Sequence, residues 1–252
     1  MSTTIAILNQ KGGVGKTTTT INVGAYIAKS GLSVLIVDFD PQGNATSGLG
    51  INKHDLESTV YDVLFKKAGA EHVEQETNVE GLFILPANPS LAAAEVELVG
   101  ELQREQALKS ALANLSYDVV LVDCPPSLGL LTINALTAAD HLLIPVQAEY
   151  YALEGLSQLL TVVQRVRAGL NPKLDLMGVV VTMFDSRTSL SDQVYKELTK
   201  HFGDKVLKTI IPRNIRLAEA PSHGKSIADH DKWSKGARAY KALSKEIIGR
   251  VK

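Results

Sequence analysis

Short runs of aliphatic and β-branched residues punctuate the chain: Thr4-Ile5-Ala6-Ile7-Leu8, Ser33-Val34-Leu35-Ile36-Val37, Val119-Val120-Leu121-Val122, His141-Leu142-Leu143-Ile144 and Met177-Gly178-Val179-Val180-Val181. None alternates apolar with polar positions, so each predicts a strand buried on both faces. The longer segments Thr17–Lys29, Glu101–Leu115, Leu153–Ala168 and Leu190–His201 have helical periodicity. Strand, helix, strand in that order predicts an α/β fold, a mainly parallel twisted sheet flanked by helices on both faces. Ligands of such sheets sit at the carboxyl ends of the strands. The stretch 44–80 is polar and irregular and reads as an insertion with one short helix around Thr59–Phe65. No repeat, low-complexity tract or Pro/Gly/Ser linker divides the chain, so residues 1–252 are expected to form a single domain.

Composition narrows the class. Of 252 residues, 45% are hydrophobic and 21% charged, which fits neither a disordered chain nor a polytopic membrane protein. No run of about 18 apolar residues and no secretory leader are visible, and one cysteine, Cys124, allows neither an internal disulfide nor a four-thiolate site. A reducing, cytoplasmic setting is expected. The net charge of −1 conceals a division: residues 1–186 hold 11 Lys and Arg against 20 Asp and Glu (−9), and residues 187–252 hold 15 against 7 (+8). That asymmetry points the C-terminal quarter toward a polyanion, nucleic acid or an anionic membrane, with a solvated helix face as the plainer alternative.

The densest chemistry follows the first strand: Lys11-Gly12-Gly13-Val14-Gly15-Lys16-Thr17-Thr18. Glycines let successive N–H groups turn inward, and the start of a helix adds its positive dipole, which together make a nest for phosphate. Lys16 is placed to reach β- and γ-phosphates, and the Thr17 hydroxyl to bind Mg2+. A standard phosphate loop has glycine where this chain has Gln10, and it lacks the second lysine, Lys11. The second strand runs into Asp38-Phe39-Asp40-Pro41, and the third apolar run into Asp123-Cys124-Pro125-Pro126-Ser127, so three carboxylates reach the same sheet edge. Asp123 reads as a magnesium partner through water, with Asp38 as support for the metal or for the loop. Cys124 reads as a small packed residue rather than a nucleophile.

The segment Lys11–Thr18 resembles the deviant Walker A motif of the ParA/MinD family of P-loop ATPases, and the resemblance, closest to the chromosomal ParA group, spans nearly the whole chain. It implies a Mg2+-dependent ATPase that forms an ATP-sandwich homodimer in which Lys11 reaches the partner's phosphates. It implies further that Lys11, Gly12, Gly13, Val14, Gly15, Lys16, Thr17 and Thr18 cradle the nucleotide, that Asp40 positions the attacking water, and that Pro212 and Asn214 contact adenine, Asn214 with both a donor and an acceptor. Arg187 and Arg216 match arginines that bind non-specific double-stranded DNA, with Lys225, Lys232 and Lys235 as further candidates. A ParB-like protein is the implied partner and the nucleoid the implied location. The family's usual pattern weakens at Asp229-His230-Asp231-Lys232-Trp233-Ser234-Lys235, where Trp233 reads as a packing residue rather than a stacking platform.

The runner-up function is a membrane-recruited positioning ATPase of MinD type. The stripe Ala237, Tyr240, Leu243, Ile247 and Val251 could serve it, yet the same spacing fits a core-facing helix. An iron protein of nitrogenase type lacks its cluster cysteines, and a scaffold without turnover is disfavoured by the presence of Lys11, Lys16, Thr17, Asp40 and Asp123. The chain opens almost at the first strand, so no N-terminal helix-turn-helix and no operator binding are expected.

Overall fold

The computed structural model describes residues 2–149 and 154–251. Seven strands form one sheet: β1 (Thr3–Ile7), β2 (Val34–Asp38), β3 (Gln75–Glu76), β4 (Leu82–Leu85), β5 (Val119–Asp123), β6 (His141–Gln147) and β7 (Asp175–Thr182). Their order is β3-β4-β2-β5-β1-β6-β7, all parallel except the edge pair β3 and β4. Alternate residues of a single strand serve different cores. Ile5, Ile7, Ile36 and Leu121 pack with Ile21, Ile27, Tyr240 and Leu243 on one face. Ala6, Leu8, Leu35, Val37, Val120 and Val122 pack with Leu131, Leu159, Val163 and Leu198 on the other. That division makes the strands continuous apolar runs, because a sheet covered by helices on both sides has no solvent face.

β1 lies inside the sheet. From it the chain moves to β2 and β4 on one side, returns through β5, then crosses β1 to β6 and β7. Loops leaving the carboxyl ends therefore diverge above β1 and β5 and open a crevice there, where doubly wound sheets bind ligands.

Two sequence expectations need correction. The helix expected over Glu101–Leu115 is a 3₁₀ turn at Arg104–Gln106 followed by a helix only at Ala107–Leu112. Leu102 is 95% exposed, so its first turn had no core to bury, and Gln103 breaks the path with a left-handed φ of 57°. The supposed insertion is woven into the fold: helices at Asn44–Gly48, Val60–Leu64 and Ala70–Val73 lead to β3, and Val60, Val63, Leu64 and Val73 are buried. The helix expected near Thr59–Phe65 is the second of these, opened by a Thr59 and Asp62 capping box. The predicted helix beginning at Leu153 is described from Glu154 to Gly169; Leu153 itself lies outside the described residues.

Candidate active site

The turn from β1 into the helix Lys16–Ala28 is held from three sides. Asn9 donates from Nδ2 to the Pro145 carbonyl (2.7 Å) and accepts the Lys11 N–H (2.9 Å), while the Thr182 hydroxyl at the end of β7 donates to the Val14 carbonyl (2.8 Å). Gly13 and Gly15 have φ of 73° and 90°, backbone that side chains strain. A Cβ at Gly13 would touch nothing within 4 Å, so conformation rather than crowding demands glycine there. The helix starts with no side-chain cap and no acidic residue in its first turn, which leaves its N–H groups and dipole for an anion.

Lys16 is only 7% exposed, and its ammonium donates to the Lys11 carbonyl (3.2 Å). Burial pulls its pKa down, while the charges of Asp123 and Asp40 pull it up. Lys11 is exposed and ion-paired with Glu149 at 2.8 Å, the two side chains 42% and 45% exposed.

Parallel pairing sets Asp38 directly beside Asp123, and both are fully buried. Asp123 accepts hydrogen bonds from the Thr17 hydroxyl (2.7 Å) and the Thr20 hydroxyl (3.0 Å). Asp38 accepts from the N–H (2.8 Å) and hydroxyl (2.7 Å) of Thr46. Asp38 thus supports the loop beyond Asp40. Burial raises the pKa of both carboxyls; for Asp123 the charge of Asp38 adds to it, while for Asp38 the hydrogen bonds from Thr46 oppose it and the charge of Asp40 adds a smaller push upward. Two adjacent buried carboxylates without a cation are costly, and this excess of negative charge fits a divalent ion. Among the described residues no three His, Cys, Asp or Glu side chains form a metal cage. The Thr17 hydroxyl on Asp123 and the phosphate nest beside it suit an ion completed by a hydroxyl, water and phosphate, as Mg2+ is. Asp40, 8% exposed, accepts the Gln42 N–H at Oδ1 (3.0 Å). Cys124 is buried, and burial pushes its thiol pKa up, as expected of a packed residue.

A cavity of about 400 Å³ continues from the loop, lined by Gly15, Thr18, Met183, Pro212, Asn214 and Tyr240 among others. Pro212 is brought there by pairing with Phe184. Asn214 Oδ1 accepts the Arg216 N–H (2.9 Å) as the cap of the helix Ile215–Glu219, which fixes the amide at the cavity wall with Nδ2 and the second lone pair of Oδ1 unengaged by that cap. Met183 holds a left-handed φ of 50°, unusual for its type, at the cavity wall. Sequence reasoning missed Asn9, Glu149 and Tyr240 as parts of this cleft, whereas Thr182 and Met183 stand where the end of an apolar run places them.

The basic residues occupy the neighbouring surface. The Arg187 side chain is 84% exposed and grips Asp185 twice (2.8 and 2.6 Å), holding that carboxyl well below the usual carboxylate range. Arg216 pairs with Glu219 (2.8 Å) and lies 3.6 Å from Asp231. The two loops are joined by the Arg213 N–H donating to the Phe184 carbonyl (3.0 Å), so Arg187 and Arg216 share one sheet edge. Lys225, Lys232 and Lys235 are exposed. Trp233 is a correction: it does not pack but stands 79% exposed. In the terminal stripe, Ala237, Tyr240, Leu243 and Ile247 are buried in the core, and no helix among the described residues is long and apolar enough to cross a membrane.

A family model described as an AAA domain matches residues 2–176. The sporulation initiation inhibitor protein Soj of Bacillus subtilis (strain 168) is 57% identical over 249 residues, covering 98% of each chain. The chromosome-partitioning ATPase Soj of Treponema pallidum (strain Nichols) is 52% identical over 252 residues, covering 99% of this chain and 98% of its own. Among solved structures, cobyrinic acid a,c-diamide synthase from Mycobacterium smegmatis with bound ATP analog and magnesium superposes with a TM-score of 0.87 at 39% identity, over 98% of this chain and 95% of that one.

Proposed function

The chain belongs to the ParA/MinD family of ATPases, whose Soj members partition chromosomes, and from that premise we propose how its residues couple ATP hydrolysis to DNA. The protein is an ATPase using ATP and Mg2+ in chromosome segregation. One observation carries the assignment of residues: the Thr17 hydroxyl rests on buried Asp123 at 2.7 Å, beside a Lys16 whose pKa burial lowers against the opposing charges of Asp123 and Asp40.

Gly12, Gly13, Val14, Gly15 and Thr18 line the phosphates, and Lys16 takes the charge of the β- and γ-phosphates. Magnesium held by Thr17 and, through water, by Asp123 would supply neutralisation of phosphate charge. Asp40 orients the attacking water with the carboxylate oxygen that Gln42 leaves unengaged. Pro212 and the Asn214 amide hold the base. Lys11 leaves Glu149 and crosses to the partner's phosphates in an ATP-sandwich homodimer, as an arginine finger does. The dimer aligns two copies of Arg187 and Arg216 on non-specific duplex DNA, and hydrolysis stimulated by a ParB-like protein releases it. Binding through phosphates alone explains a basic surface without a base-reading helix.

Light scattering with and without ATP and Mg2+ tests this reading. Wild type should dimerise only with ATP, and Lys16→Ala should stay monomeric. A dimer of unchanged stability without nucleotide, or in Lys16→Ala, contradicts it.

A further inference from the structure

Trp233, the chain's sole tryptophan, presents a large apolar ring to solvent within the basic C-terminal quarter of the chain. The backbone beneath it is pinned by hydrogen bonds. The Trp233 N–H donates to Asp231 Oδ1 (3.2 Å), the Ser234 hydroxyl donates to the Asp231 carbonyl (2.9 Å), and that hydroxyl accepts the Ala237 N–H (3.1 Å) to open the last helix, Lys235–Val251. The other Asp231 oxygen lies 3.6 Å from Arg216 Nε and ties this turn to the helix carrying Arg216. The Lys232 ammonium sits 5.3 Å from the centre of the indole, and Lys235 follows at the helix start. A braced turn thus displays an indole beside Lys232, with Lys235 two residues on and Arg216, held by Glu219 and Asp231, on the helix tied to the turn.

An aromatic ring of this size gains substantially when it loses water, and the cations around it select the partner. A neutral protein surface satisfies the ring and leaves the cations solvated. Duplex DNA satisfies both, with phosphates for Lys232 and Lys235 and a deoxyribose or base edge for the ring, and it does so without regard to sequence because every nucleotide offers those surfaces. We propose that Trp233 touches DNA directly, its indole packed on the sugar and base edge of a duplex whose phosphates flank Lys232 and Lys235. This inference rests on the DNA-binding reading above and adds to it an apolar, sequence-tolerant component.

A sole tryptophan makes the test direct. The full chain with ATP and Mg2+ is titrated with random-sequence duplex while its emission is followed, and affinity is measured by gel shift for wild type, Trp233→Phe, Trp233→Ala and the Lys232→Ala, Lys235→Ala pair. Expected are quenched emission on binding and at least about fivefold weaker binding in Trp233→Ala, with the slope of log K against log salt unchanged and most affinity retained by Trp233→Phe. The lysine pair should instead lower that slope, by about 1 for each phosphate no longer neutralised. DNA binding that depends on Arg187 and Arg216, with unaltered Trp233 emission and a neutral Trp233→Ala, overturns the inference and leaves the DNA-binding reading standing. Absence of any ATP-dependent DNA binding overturns both. A blue shift on anionic phosphatidylglycerol vesicles without a response to DNA assigns the surface to lipid and overturns the inference as well.

Discussion

Replacing Glu149 with glutamine should tighten the ATP-bound dimer. In the single chain Lys11 is held by Glu149 at 2.8 Å, and Glu149 is itself fixed by the Gln147 side-chain amide. A lysine that must reach a partner's phosphate has to leave that carboxylate first, once in each subunit. Both side chains are more than a third exposed, so solvent screens the pair and its worth is about 0.2–1 kcal/mol. Two such pairs break per dimer, so at most about 0.4–2 kcal/mol is recoverable, a ceiling of roughly a twofold to thirtyfold lower dimer Kd, and the hydrogen bond that glutamine still accepts keeps the gain below it. The gain should shrink at high salt, where the pair is already weakened. Sedimentation equilibrium with a non-hydrolysable ATP analogue and Mg2+ measures it, and the Lys11→Ala background supplies the control, in which Glu149→Gln should have no effect. An unchanged or weaker dimer in Glu149→Gln, or the same gain without Lys11, refutes the reasoning.

Asp40→Ala should bind ATP and dimerise while hydrolysing about 10²–10⁴-fold more slowly, read by single-turnover assay; a wild-type rate removes Asp40 from its role. Asp38→Asn should stabilise the nucleotide-free protein at pH 8 by about 1–3 kcal/mol and hardly at pH 4.5. The sign follows from the raised folded-state pKa of Asp38: the folded chain holds that proton more tightly than the unfolded one, so stability is lost as pH climbs from about 4 through about 6. Thermal melts at the two pH values check this, and equal or lower stability at pH 8 contradicts it. Arg187→Ala with Arg216→Ala should spare nucleotide binding and dimerisation yet lose ATP-dependent affinity for random DNA, flattening the salt slope by about 1 for each phosphate left without its arginine. Wild-type DNA affinity in that double variant refutes the assignment.

The phosphate loop was legible because its chemistry is contiguous: two glycines at positive φ, two lysines and the Thr17 hydroxyl fall within eight residues after a strand. The pairing of Asp38 with Asp123 was half legible, since each ends an apolar run but only the parallel register places them side by side. Thr182 and Met183 follow an apolar run and so stand at the same sheet edge, whereas Tyr240 reaches the cleft only through tertiary packing of the last helix, which no local spacing reveals. The helix Leu130–Ala138 is apolar nearly all round because it is largely buried, so it lacks the amphipathic period that marks a surface helix. Its start is also capped from elsewhere in the chain, Glu95 accepting the Leu130 N–H at 2.7 Å. The strand β4, Leu82-Phe83-Ile84-Leu85, is too short for periodicity to separate strand from helix. Trp233 was misread because its type favours burial and only the fold shows it facing water.

The central claim, that ATP switches this chain onto DNA, is tested most directly by gel shift of random-sequence duplex with ATP, with ADP and with no nucleotide, all with Mg2+. Arg187 and Arg216 are each paired with carboxylates of their own chain, so one subunit holds phosphates weakly and two must act together before phosphate binding outcompetes salt. Retention with ATP alone, lost on raising salt, is the expected result; equal retention in all three conditions, or none in any, contradicts it.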